Sequence, residues 1–254
     1  MRSVIGAAVA ALTLLAAPAA FAQPAPSPAP DEADTMAPPR SQAPDDPAAG
    51  AQAAAPALAA WVIASGDNGG LPFVVIDKIA AEVSVFDASG APLGEAPALL
   101  GFARGDDSAP GIGDRELSHI RPSERTTPAG RFLAGFGPAD GGRTVLWVDY
   151  ETAISLHPVV TSNPKEHRLA RLQSPTAKDN RITFGCINVS TAFYREVVVP
   201  AFSGGHGVVY ILPEAKPLAA VFPAFDLAQQ AGGGGAQATA PSPLARLSGP
   251  DPLR

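Results

Sequence analysis

Cys186 is the only cysteine of the chain, and it lies in Thr183-Phe184-Gly185-Cys186-Ile187-Asn188, directly after a short apolar run. Exported proteins pair their cysteines or lack them, so a lone thiol behind an export signal points to a nucleophile. Such a thiol needs a base, and the chain offers His119, His157, His167 and His206. His157 is the candidate. Ile154 and Leu156 alternate with Ser155 and His157, so on a strand the hydroxyl and the imidazole share one face, opposite the buried one. His119 falls in an irregular stretch, His167 on a surface helix and His206 in a glycine-rich turn. A strand end ahead of Ser190, the expected cap of the next helix, aims the amides of Gly185 and Cys186 at a developing oxyanion, and Gly185 permits the tight turn required.

These residues need a scaffold. Residues 1–22 read as a secretory signal peptide, with Arg2, an apolar run and Ala20-Phe21-Ala22 as the cleavage site. Residues 23–56 read as a disordered Pro/Ala-rich linker, residues 57–226 as the catalytic domain and residues 227–254 as a disordered Gly/Pro-rich tail. Strands are expected over Phe73–Asp77, Glu82–Asp87, Val145–Asp149, Ala153–His157, Arg181–Phe184 and Val208–Leu212. Helices are expected over Ala57–Ser65, over Asn163–Leu172, where Asn163-Pro164-Lys165-Glu166 is an N-terminal signature, and from Thr191 to about Val199. The long stretch from Gly101 to Gly130 has little periodicity and reads as a wall of a substrate groove. The fold class is mainly β with a few helices, a β-sandwich or curved mixed sheet.

The net charge of −6 makes nucleic acid an improbable partner, because binding it rests on basic neutralisation of phosphates. No stretch after the signal reaches the roughly 18 apolar residues of a membrane span. The Cys186 block, with His157 upstream, resembles the L,D-transpeptidase catalytic domain of the YkuD type. Thr127-Pro128-Ala129-Gly130-Arg131-Phe132 is similar to that family's T-P-x-G-x-F turn. The resemblance runs from about Phe73 to Pro213 and implies a YkuD-like sheet. It also implies that His157 is the general base, Cys186 the nucleophile, Gly185 part of the oxyanion turn, Thr183 the hydroxyl position and Asn188 the closing polar residue. Phe184 stands where the family has a histidine, Pro158 where glycine is common, and an insertion carrying Asn163–Leu172 lengthens the spacer.

That insertion is basic. Arg168, Arg171 and Arg181 are candidates to bind the carboxylates of peptidoglycan stem peptides, and Ser155, Thr183 and Asn188 are further candidate substrate-binding residues. The resemblance implies a periplasmic or cell-wall enzyme that forms a thioester with a stem tetrapeptide and passes it to an amine acceptor. It further implies a covalent carbapenem adduct if the thiol is active. No cofactor or metal is expected. The alternatives are an L,D-carboxypeptidase or amidase on the same scaffold, and a catalytically inactive wall-binding module.

Overall fold

The computed structural model describes residues 54–233. The signal segment 1–22, nearly all of the linker 23–56 and the tail beyond 233 lie outside the described residues. The described residues are mainly β, with ten strands and a few helices. Eight strands form one mixed sheet in the order β3-β2-β1-β10-β5-β6-β7-β9. They are β1 (Phe73–Asp77), β2 (Glu82–Phe86), β3 (Pro92–Pro97), β5 (Gly130–Ala139), β6 (Arg143–Asp149), β7 (Ile154–Pro158), β9 (Ile187–Val189) and β10 (His206–Ile211). The β1–β10 and β7–β9 pairs are parallel and the others antiparallel.

The two edges nearly meet. Leu99, just past β3, exchanges hydrogen bonds of 2.7 and 2.9 Å with Asn188 on β9. The next residues, β4 (Leu100–Gly101), then pair with β8 (Arg181–Thr183). Backbone groups that an open edge would leave bare thus find partners on the far side of the sheet.

One face carries the main core, in which Val74, Ile76, Val83, Val85, Leu146, Leu156, Ile187 and Val189 meet Phe193 and Val198. On the opposite face, Phe73, Val75, Val208 and Tyr210 are roofed by α1 (Ala54–Ser65) and α5 (Pro223–Gly233) through Leu58, Val62 and Phe225, with Phe222 just ahead of α5. β1 is therefore buried on both sides, while β2 alternates, with Val83 and Val85 inward.

Three expectations change. The first helix already covers residues 54–56 of the expected linker, and it tolerates Pro56 because in the first helical turn the missing N–H has no intrahelical acceptor to lose. Folded structure also continues past residue 226. Residues 227–233 belong to α5, which Phe225 anchors with its ring 5.8 Å from that of Trp61. The Asn163–Leu172 helix is broken into a single turn, Pro164–Glu166, and α2 (Arg168–Leu172) by His167 in a left-handed conformation, φ 49°. The helix after Ser190 forms as expected over 191–201. Its Tyr194–Val198 part is a π segment, and we call the whole α3. The remaining short helix is α4 (Leu218–Val221).

Candidate active site

Cys186 closes the turn between β8 and β9, and local chemistry shapes that turn. Thr183 Oγ1 accepts from the Gly185 N–H at 3.1 Å and donates to the Cys186 carbonyl at 2.6 Å. Gly185 holds φ at 136°, and a β-carbon there would sit 2.7 Å from Ile154 Cδ1 and 2.8 Å from the Thr126 carbonyl oxygen, so only glycine fits. Its own carbonyl accepts from Thr127 Oγ1 at 2.7 Å. The Thr127-Pro128 turn thereby braces the cysteine turn from outside it. Phe184 packs beneath the Arg125 guanidinium, 3.8 Å from ring centroid to Cζ, a cation–π contact. Because the Gly185 N–H is committed to Thr183, the Cys186 N–H is the amide left to meet an oxyanion.

β7 and β9 run side by side, with Leu156 opposite Ile187 and His157 opposite Asn188. One residue earlier, the same register sets Ser155 beside Cys186, and Ser155 Oγ lies 3.5 Å from the partly exposed Sγ. The thiol also reaches the Ala153 carbonyl at 3.6 Å, where Ala153 holds a left-handed φ of 57°. His157 thus lies diagonally across adjacent strands from Cys186, on one face, with no hydrogen bond between them.

The imidazole has two other partners. Nδ1 is 2.8 Å from the Pro158 carbonyl, which can only accept, so Nδ1 carries the proton and Nε2 the lone pair. Asn188 Nδ2 donates to Nε2 at 3.0 Å. Burial disfavours the charged ring and outweighs the Pro158 contact. With the Arg143 and Arg168 cations it holds the His157 pKa below the ordinary histidine value.

Of the basic candidates only Arg168 reaches this face, donating to Asn188 Oδ1 at 2.9 Å while Glu166 holds its Nε at 2.5 Å. Arg171 binds the carbonyls of Glu166 and Asp179 within the insertion, both at 2.8 Å. Arg181 donates to Glu214 Oε2 at 2.6 Å and to the Lys78 carbonyl at 2.7 Å. Both guanidinium groups are thus engaged by partners within the protein. His119, His167 and His206 are all exposed.

Sequence reasoning missed two features. One is a buried ion cluster. Lys78 Nζ donates to the Gly105 carbonyl, Asp106 Oδ1 and the Thr127 carbonyl at 2.5, 2.6 and 2.9 Å, with Glu214 Oε1 at 3.9 Å. The other is an aromatic platform. Trp147 pairs with Ser155 across β6 and β7, and its ring packs against that of Tyr150 with centroids 4.5 Å apart and planes tilted by 36°. Trp147 Nε1 is pinned to the Pro138 carbonyl at 3.1 Å, and Gly137 leaves the room, since a β-carbon there would fall 2.9 Å from Trp147 Cδ1. A glycine alternating along a strand opposite an aromatic residue was the available signal.

Comparison with family models, with curated proteins and with solved structures finds no match for this chain. Among the described residues no group of three His, Cys, Asp or Glu side chains is placed to hold a metal ion, and no helix is long and apolar enough to cross a membrane. What stands together is a thiol, a neutral imidazole whose Nε2 lone pair is held by the Asn188 amide, a hydroxyl and an amide donor, the groups that acyl transfer through a thioester requires.

Proposed function

We propose that the protein is a cysteine-dependent L,D-transpeptidase of peptidoglycan, acting in the periplasm or cell wall. The observation that carries this reading is the placement of Cys186, in the turn that leads into β9 and 3.5 Å from Ser155, beside the strand that bears His157, with His157 held as the tautomer whose Nε2 can accept a proton. The resemblance of the cysteine block and the Thr-Pro turn to that family supplies the substrate class.

In the mechanism, His157 Nε2 takes the thiol proton once the Asn188 amide yields it. Sγ attacks the carbonyl carbon of the scissile L,D peptide bond, and the Cys186 N–H receives the oxyanion. Collapse breaks the C–N bond. The imidazolium returns its proton to the departing amine of the terminal D-residue, leaving a thioester. An acceptor amine then attacks the thioester and releases the thiol.

A carbapenem tests this. Attack by Sγ opens the β-lactam C–N bond, so intact mass should rise by the whole mass of the compound, and Cys186→Ala should remove the adduct. Absence of an adduct between pH 5 and 9 would overturn the enzyme reading in favour of a wall-binding module, which the occupied Nε2 favours. An adduct with only free acid formed in the presence of an acceptor amine would assign the hydrolase.

A further inference from the structure

The insertion between β7 and β8 touches the site at one point. Glu166 Oε2 holds Arg168 Nε at 2.5 Å, Arg168 Nη1 donates to Asn188 Oδ1 at 2.9 Å, and Asn188 Nδ2 donates to His157 Nε2 at 3.0 Å. The Arg168 side chain is only 12 % exposed and that of Asn188 is fully buried, so this chain of contacts is shielded from water. An amide has two ends with opposite chemistry. A guanidinium can only donate, so it selects the oxygen of Asn188 and turns the NH₂ toward the imidazole. Were the amide to flip, Oδ1 would face Nε2 and stabilise a protonated ring.

We propose that Arg168 is a positioning residue that, by fixing the orientation of the Asn188 amide, keeps His157 neutral with its lone pair on Nε2. The assignment rests on the reading of His157 as the base, although its test does not require turnover. The charged and titratable groups around the ring are Arg143 from β6, Arg168 with its partner Glu166 from the insertion, and Cys186 beside β9. Arg168 therefore acts in two ways with the same sign. Its charge opposes an imidazolium, and its hydrogen bond denies that imidazolium an acceptor. The burial and both cations that lower the His157 pKa agree with this direction.

The experiment is an NMR titration of the His157 ring in the full protein, its signal identified by its loss in His157→Gln. Arg168→Leu should raise the midpoint by about one pH unit, as expected for removal of a close charge and its hydrogen bond. Arg168→Lys should fall between, since an ammonium keeps the charge but lacks the planar fork that braces Glu166 and Asn188 together. An unmoved or lowered midpoint in Arg168→Leu overturns the proposal. A rise in Leu with Lys equal to the wild type leaves charge alone and overturns the orienting role. Should Arg168→Leu fail to fold, Arg168→Lys decides, and a midpoint no higher than that of the wild type is the refuting result. The pH at half-maximal carbapenem acylation should follow the NMR midpoint. If no acylation occurs while the NMR shift does, the proposed function fails and the positioning role stands.

Discussion

Asp106→Ala should cost the fold about 3–5 kcal/mol, the range for removing one partner of a buried ion pair. The Lys78 ammonium has no exposed side-chain surface and Asp106 has 1 %, so water cannot replace the lost carboxylate. Asp106 Oδ1 takes Lys78 at 2.6 Å and the Glu214 N–H at 2.9 Å, and Oδ2 takes the N–H groups of Ala215 and Lys216. Ala215 and Lys216 are exposed, so their amides can turn to water, and the buried ammonium, left with two carbonyls and Glu214 at 3.9 Å, supplies most of the loss. The partners respond oppositely to burial. Burial lowers the Lys78 pKa more than its carboxylate neighbours restore it. For Asp106, burial is the largest single effect and raises the pKa, but Lys78 and the three amides outweigh it and hold the value at about 2. A carboxyl with a folded pKa below its unfolded 3.8 adds stability above that pH and loses it as pH falls toward 2. At 1.36 kcal/mol per pH unit this is about 2 kcal/mol. Urea unfolding followed by tryptophan fluorescence at pH 7 and between pH 4 and 2 measures both quantities. A loss under about 1 kcal/mol at pH 7, or an unchanged acid slope in the variant, would refute the argument. Replacing both partners, Lys78→Met with Asp106→Leu, should recover much of the loss, because no unpaired charge remains.

Gly185→Ala should destabilise by at least about 2 kcal/mol through an imposed positive φ and clashes with Ile154 and the Thr126 carbonyl, and should slow carbapenem acylation more than tenfold; stability and mass spectrometry check each. His157→Gln should remove the rise of acylation rate with pH. In the wild type that rise should be centred below the ordinary histidine value of about 6.5, because burial first and the Arg143 and Arg168 charges next disfavour the imidazolium against the Pro158 contact. A profile unchanged by the substitution would place the base elsewhere.

Strands with regular alternation were legible in the sequence. Val83 and Val85 against Ser84 and Phe86 defined β2, and the same period put Ser155 and His157 on one face of β7. β3, with the sequence Pro-Leu-Gly-Glu-Ala-Pro, was not legible, since its strand form comes from pairing with β2 rather than from its residues. The same holds for β5, whose glycines and proline suggest a loop until β10 and β6 flank it. Lys78, Asp106 and Glu214 are far apart in the chain and carry no common pattern, so only the fold could reveal their cluster. Arg181 illustrates the converse. Its place in a basic stretch suggests a ligand contact, and its intramolecular partner Glu214, which no local pattern announces, lies beyond β10. Segment 227–233 misled through composition, because Phe222 and Phe225 just before it anchor a helix that its Ala, Gln and Gly residues continue.

Cys186 and His157 draw their order from separate parts of the structure. From the ion cluster, Lys78 holds the Thr127 carbonyl, and Thr127 Oγ1, which also accepts from the Gly101 N–H at 2.9 Å, holds the Gly185 carbonyl. The cysteine turn is thereby tied to buried charge between β1 and the end of β10. His157 is held by its own neighbour Pro158 and, through Asn188, by the insertion. Asn188 joins the two supports, since its backbone bridges Leu99 across the sheet edges while its side chain orients the imidazole. Damage to the ion cluster should therefore disturb the thiol turn and leave the His157 titration in place, whereas changes in the insertion should act on the ring and spare the turn.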